Sequence, residues 1–270
     1  MSRRIERVVV ALDAASDNRT AIDTAARLAA RVDALLHAIF VEDEELLWAA
    51  GLGFTRESMW GAGGEPFTLE RTARQLHAAA ETARRDLAAV AGERRVAASF
   101  EIVRGPPGRA LADATERDLV VGGLSRPVAG HFRVECRWFN SVETATGPVL
   151  LARRAWSADG GIVVLLGDRG PGAIRLLEAA AEIAEAAGAS LLVMASPAIA
   201  DAAAWVGERL AAAAVGWRIE TAPAEPGALD RRIAELGCRL LAIEPPVEGP
   251  VAARLREWSE KVGCDILVVR

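Results

Sequence analysis

Two stretches of this 270-residue chain repeat one another. Val8-Val-Val-Ala-Leu-Asp13 is matched by Val163 to Asp168 within Ile162-Val-Val-Leu-Leu-Gly-Asp168, at an offset of 155 residues. The match runs on without a gap through a turn, a helix-periodic segment and a second apolar run. Ala25, Ala26, Ala29, Ala34 and Leu36 meet Ala180, Ala181, Ala184, Ala189 and Leu191. Alanine is common here, so the shared register counts for more than the identities. A repeat of this length is an internal duplication, and it constrains the fold more than any other feature.

Each repeat has the same local logic. A short, continuous apolar run suits a strand buried on both faces. Turn-formers follow, then apolar residues at three- and four-residue spacing (Ala21, Ile22, Ala25, Leu28, Ala29, Val32) that predict a helix. A second apolar strand completes a βαβ unit. Both halves continue with a helix (about 69–90 and 199–215), a strand (97–103 and 217–221), a Pro/Gly turn opening a short helix, a fourth strand (119–122 and 240–243), and a loop and helix. Each closes on a strand, Pro148 to Arg153 and Asp265 to Arg270. Alternating strands and helices predict an α/β chain with two tandem open parallel sheets, each of about five strands with helices on both faces. The domains are 1–155, carrying an insertion at 42–67, and 160–270. Arg154 to Gly161 is the linker.

Composition narrows the chemistry. Of the 32 basic residues 31 are Arg, and Lys261 is the one Lys. It stands in Glu-Lys-Val-Gly, so no G-x4-G-K-[ST] phosphate loop exists. Three His and three Cys are scattered, without the short spacings of a zinc site and without the density of a disulfide framework. The net charge of −5 offers no basic footprint for nucleic acid. No apolar run is long enough to span a membrane and no leader pattern opens the chain, so a cytoplasmic protein is expected.

The pattern resembles the universal stress protein family in its tandem form. The residues that carry the resemblance are Val8 to Asp13 with the helix after it, Leu36-His-Ala-Ile-Phe-Val41, Asp118-Leu-Val-Val-Gly122 followed 26 residues later by Pro148-Val-Leu-Leu, and Cys264 to Arg270 at the end of the second half. The resemblance implies a Rossmann-like, adenine nucleotide alpha hydrolase-like fold. It also implies pairing through the last strand of each half, an internal pseudo-dimer, with further homodimerisation left open.

Nucleotide-binding members of that family carry a loop G-x2-G-x9-G-[ST] after the fourth strand, whose backbone amides approach phosphates. They also carry an Asp at the end of the first strand, at the switch point. A gapless match puts the loop positions on Gly122, Ser125, Glu135 and Cys136, of which the first alone is kept. A match shifted by five residues uses Gly130, Asn140 and Ser141, with Pro127 at the first glycine. The second half has Glu244-Pro-Pro-Val-Glu-Gly-Pro250 there, with no glycine pattern. The candidate ligand residues are therefore Asp13, Val41, Gly122, Ser125 and Gly130. ATP in the first half stays open, no other cofactor and no metal is indicated, and the second half is expected to have lost its nucleotide.

Single residues each admit two roles. Asp13 and Asp168 either meet ribose hydroxyls or cap the next turn. Gly167-Asp-Arg-Gly-Pro-Gly172 is an anion nest or a plain turn. His131 and Cys136 form a nucleophilic pair or are ordinary loop residues. His37 is expected as a satisfied core imidazole, His77 on a helix surface, Cys238 and Cys264 as buried small apolar residues, and Trp48 and Trp60 in packing or lining an apolar pocket. Three functions remain: a binding or regulatory protein with degenerate nucleotide loops acting on a protein partner or small ligand, a nucleotide sensor using the first half, and an ATP hydrolase. The last is weakest, because no general base or metal-ligand set stands out.

Overall fold

The structure, a computed structural model, describes residues 5–14, 16–52, 68–106, 114–124, 142, 145–153, 160–223, 225, 227–245 and 251–270. The first half contains β1 (Arg7–Leu12), α1 (Asn18–Val32), β2 (Leu35–Glu42), α2 (Glu44–Gly51), α3 (Leu69–Arg94), β3 (Ala98–Arg104), β4 (Asp118–Gly123) and β5 (Val149–Ala152). The second contains β6 (Ile162–Leu166), α4 (Pro171–Ala187), β7 (Leu191–Ala195), α5 (Ala202–Leu210), β8 (Trp217–Thr221), α6 (Ala228–Leu236), β9 (Leu240–Ile243), α7 (Val251–Val262) and β10 (Asp265–Val268).

Each half is the expected five-stranded parallel sheet, and the two are continuous. The strand order is β3-β2-β1-β4-β5-β10-β9-β6-β7-β8. The β5–β10 pairing is antiparallel, with Leu150 opposite Leu267, and the other pairings are parallel. The inner strands read as unbroken apolar runs because both faces are covered: β4, β5, β7, β9 and β10 are buried at every position. One face packs against α1, α3, α4 and α5. The other meets α6 and α7 through Ile233 and Leu255.

The helices begin and end where local chemistry dictates. Asp17 caps α1 by accepting from the Thr20 amide at 3.1 Å. Pro171 opens α4, where its missing N–H costs nothing, and Gly188 closes it in the left-handed region. The helix expected over 199–215 is shorter, nine residues, because its ends lack side-chain help: Asp201 at its start makes no capping bond. The short helix expected after Arg104, the helix before β5 and most of the 42–67 insertion fall outside the described residues.

The duplication needs one adjustment. On one sheet face Val8, Val10 and Leu12 correspond to Ile162, Val164 and Leu166, an offset of 154. Helices and second strands keep 155: Ala21, Ile22 and Ala25 correspond to Leu176, Leu177 and Ala180, and Leu36 to Leu191. Side chains alternate across a strand, so a one-residue slip would turn every side chain to the other face. The second half therefore carries one extra residue between its first strand and first helix.

Buried charge sits at the seam and at the lower strand ends. Asp265 is fully buried; its Oδ1 accepts from the Arg153 amide at 2.8 Å and its Oδ2 pairs with the Arg239 guanidinium at 3.2 Å. The Arg153 side chain donates to the Ser259 carbonyl. Asp118 takes two bonds from Arg7 at 2.9 and 2.7 Å and two from Thr115, through the amide at 2.6 Å and the hydroxyl at 3.0 Å. Burial pushes the Asp118 carboxyl up, but the Arg7 and Thr115 donors outweigh it and hold it below its ordinary value. A depressed carboxylate stabilises above its unfolded value and loses that contribution as pH falls through its folded value. Asp118→Asn is expected to cost about 1–2 kcal/mol at neutral pH, discounted for the partly exposed Arg7. The cost should shrink to near zero on the acid side of the carboxylate range, as read by denaturant titrations across pH.

Candidate functional site

In an open α/β sheet, ligands enter the crevice beyond the carboxyl ends of the strands where strand order reverses. In the first half that point lies between β1 and β4, neighbours through Ala11 and Gly122. Asp13 follows β1 at this end, Gly122 and Gly123 close β4, and Val41 is the last residue but one of β2 beside them. The structure thus brings Asp13, Val41 and Gly122 to one end of three adjacent strands. Ser125 and Gly130 lie outside the described residues, as do Glu135, Cys136, His131, Asn140 and Ser141. Val41 is 1% exposed and belongs to the core on the α6–α7 face, so its side chain is turned to packing.

Asp13 is engaged locally. Its carboxylate accepts from the Ser16 amide at 2.6 Å and the Ser16 hydroxyl at 2.9 Å, and its carbonyl accepts from Asn18 at 2.7 Å. That geometry shapes the turn into α1. Gly123 faces the same turn: a Cβ there would stand 2.6 Å from the Asp17 carbonyl oxygen and 3.5 Å from the Ala21 Cβ. The absence of a side chain on Gly123 lets the start of α1 close down on β4.

The second half solves the same junction the other way round. Leu150 and Leu267 face each other at the seam, Val121 pairs with Leu150 and Ala242 with Leu267. Counting outward, Gly123 corresponds to Glu244. Asp17 corresponds to Gly172 at the helix offset of 155. The first half places glycine on the strand and an acid on the helix; the second places an acid on the strand and glycine on the helix. The Glu244 carboxylate lies where a Cβ on Gly172 would be, against the first turn of α4. That helix has Gly170 at its N-cap and no side-chain capping bond. The positive end of a helix is where a carboxylate or other anion is best placed, and Glu244 stands at that end of α4.

Neighbouring charges act on Glu244. Burial pushes its carboxyl above the ordinary value, Asp168 adds to that, and Arg175 opposes. Asp168 accepts from the Gly170 amide at 2.6 Å, which is the turn-capping role. A raised carboxylate has its full contribution below the unfolded value and loses it as pH rises through the folded value. Glu244→Gln is therefore expected to raise the thermal midpoint at neutral pH and to leave it unchanged on the acid side of the carboxylate range. A scan of unfolding temperature against pH reads this directly.

Other candidates resolve into structure. His37 is only half-buried, not a core residue; its Nδ1 meets the Ser99 hydroxyl at 2.7 Å and its Nε2 lies 3.5 Å from Glu101, both on β3. It stands on β2 beside the edge strand β3. His77 is exposed on α3. Trp48 is 70% exposed on α2, against the expectation of packing, and Trp60 lies outside the described residues. Cys238 and Cys264 are buried. A shallow, open groove at the seam, with room for about 30 Å³ of enclosed volume, is floored by Ile5, Pro148 and Val269. It lies at the amino ends of β1 and β5 and beside the carboxyl end of β10, with Arg175, which also acts on Glu244, on its rim, and that rim is paired internally. Arg117 pairs with Glu6, Arg175 donates to the Arg270 carbonyl, and Glu182 accepts from the Ile5 amide at 2.5 Å. Among the described residues no group of three or more His, Cys, Asp or Glu could hold a metal ion, and no helix is long and apolar enough to cross a membrane.

Sequence reasoning missed Gly123 and Glu244. The signal for Glu244 was present: an acid ends an apolar strand where the first half has glycine.

The architecture is that of a known class, a duplicated Rossmann-like α/β protein joined through its last strands. A universal stress protein from Archaeoglobus fulgidus DSM 4304 is 13% identical, with a TM-score of 0.64 over 97% of this chain and 95% of that one. A putative universal stress protein from Pseudomonas aeruginosa UCBPP-PA14 is 17% identical, with a TM-score of 0.56 over 98% and 92%. A functionally unknown protein from Pseudomonas aeruginosa PAO1 is 16% identical, with a TM-score of 0.57 over the same shares, 98% and 92%. No protein-family model and no curated protein matches the sequence. The chain has the fold of these tandem universal stress proteins.

Proposed function

We propose that this chain is a cytoplasmic, non-catalytic universal stress protein-like binding protein that acts on a protein partner or a small ligand in a stress response. In this reading its second nucleotide crevice is filled from within by Glu244. The observation that carries it is the Glu244 carboxylate against Gly172, at the helix start where a phosphate would otherwise sit. Asp168 beside it adds a second negative charge, which repels an incoming anion. The first-half loop supports the same reading from sequence: Glu135 and Cys136 stand where nucleotide binders carry a glycine and a hydroxyl. The net charge of −5 gives nucleic acid no purchase.

A nucleotide sensor confined to the first half is the second reading. Gly122 and Gly123 favour it, because they leave the end of β4 without side chains next to Asp13. Two measurements separate the readings. Absorbance at 260 nm of the purified, denatured protein reports a carried nucleotide. A thermal-shift titration with ATP–Mg reports binding, since a ligand at 100 times its Kd stabilises by about 2.7 kcal/mol. The main reading predicts no released nucleotide and no shift at millimolar ATP. A shift abolished in Asp13→Ala establishes the sensor instead, and sustained ATP turnover lost in Asp13→Ala establishes an enzyme.

A further inference from the structure

Cys238 and Cys264 are 26 positions apart in a chain with three cysteines, yet the fold brings them together. Cys238 leads into β9 and Cys264 into β10, and these strands are adjacent and parallel with Leu240 opposite Asp265. That register sets Cys264 opposite Arg239, so Cys238 stands one residue out of register, diagonally across two strands about 4.7–4.9 Å apart, a placement compatible with the Cα separation of about 4.4–6.8 Å that a disulfide spans. Both residues belong to the same buried cluster on the α6–α7 face, at 8% and 3% exposure. Both thiols are free, and each lies close enough to influence the other's ionisation. We propose that Cys238 and Cys264 form a reversible dithiol–disulfide couple, oxidised by a hydroperoxide, at the entry to β9 and β10.

The roles of the two sulfurs differ. The neighbouring Cys238 thiol, burial and the Asp265 carboxylate all keep Cys264 protonated. The Cys264 thiol beside it favours the thiolate of Cys238 against the penalty of burial. Cys238 is also the more exposed, directly after Gly237, which ends the nine-residue α6 in the left-handed region at φ 56°. A short helix end of this kind opens more readily than the sheet behind it. Cys238 sulfur attacks the nearer peroxide oxygen: an S–O bond forms, the O–O bond breaks, and the leaving oxygen takes the thiol proton and departs as an alcohol or water. Cys264 sulfur then attacks the Cys238 sulfenic sulfur; the S–S bond forms, the S–O bond breaks, and water leaves with the Cys264 proton. Two thiols are oxidised by two electrons and one hydroperoxide is reduced. A dithiol reductant reverses the step by thiol–disulfide exchange. The bridge would tie the entry of β9 to that of β10, the strand that joins the halves, whatever ligand the strand-end crevices hold.

The test uses the full-length protein. It is treated with hydrogen peroxide under native conditions, blocked with N-ethylmaleimide, digested with trypsin and mapped by mass spectrometry. The peptide 233–239 is expected to appear linked to 262–270, to vanish on reduction, and to form equally in Cys136→Ser. Thiol titration in denaturant should fall from three groups to one. The proposal is overturned if all three thiols survive peroxide. It is also overturned if either cysteine links to Cys136, or if the 238–264 link forms only after the chain is denatured.

Discussion

Asp265→Ala is expected to destabilise the protein by about 3–5 kcal/mol, the usual cost of removing one partner from a buried ion pair. The carboxylate is inaccessible to water, and the Arg239 side chain it pairs with is only 11% exposed. Truncation takes the Asp265 charge away from that nearly buried guanidinium. It also removes the acceptor of the Arg153 amide at 2.8 Å, an orphaned donor at the edge of the β5–β10 seam. Because β10 carries the junction between halves, the loss should appear as a lower denaturant midpoint for the whole sheet, with no separate transition for the second half. Asp265→Asn keeps the acceptor for Arg153 and loses the charge, so it should fall between wild type and Ala.

Gly123→Val is expected to cost about 3 kcal/mol. Overpacking a well-filled core usually costs about 1–3 kcal/mol, and this position lies at the upper end because the obstacle is backbone. The first carbon of any side chain would stand 2.6 Å from the Asp17 carbonyl oxygen and 3.2 Å from its carbon. Neither can rotate away without moving the start of α1. The paired control is in the second half: Gly172→Ala would displace the Glu244 carboxylate, the far end of a flexible side chain. It should cost less than Gly123→Val, as measured by chemical denaturation of both variants.

The contrast between those two glycines shows what was legible in the sequence and what was not. The duplication, the order of elements and the parallel sheets could be read from apolar runs and helical spacing, because burial on both faces leaves a strong hydrophobic signal. The same double burial hid the one-residue slip between β1 and β6. When every position of a strand is apolar, matching Val8 to Val163 costs nothing in similarity, although the two side chains face opposite sides of the sheet. The pleat decides, and the pleat is not visible in an unbroken apolar run. The Glu244–Gly172 contact joins residues 72 positions apart, through a strand end and a helix start whose approach only the packed fold defines. The same holds for Cys238 and Cys264, which looked like two independent buried thiols until the β9–β10 pairing put them one residue out of register on adjacent strands.

Asp13 illustrates a different lesson. Its place at the end of the first strand was readable, and so were its two roles. The turn with Ser16 and Asn18 uses its carboxylate and carbonyl, so a ligand must compete with two bonds already made. In the second half Asp168 keeps one such bond, to the Gly170 amide, and faces Glu244. Both crevices therefore bring carboxylates, not cations, to their helix starts: Asp17 capping α1 in the first, Glu244 against α4 in the second.

Equilibrium dialysis of the full chain against labelled ATP–Mg tests this account most directly, because it counts sites. The account predicts no saturable binding up to millimolar nucleotide, in wild type and in Asp13→Ala alike. Saturable binding at one equivalent per chain that Asp13→Ala abolishes would replace it with the first-half sensor. Saturable binding at two equivalents would contradict the central claim outright, since the second site could form only with Glu244 displaced from Gly172.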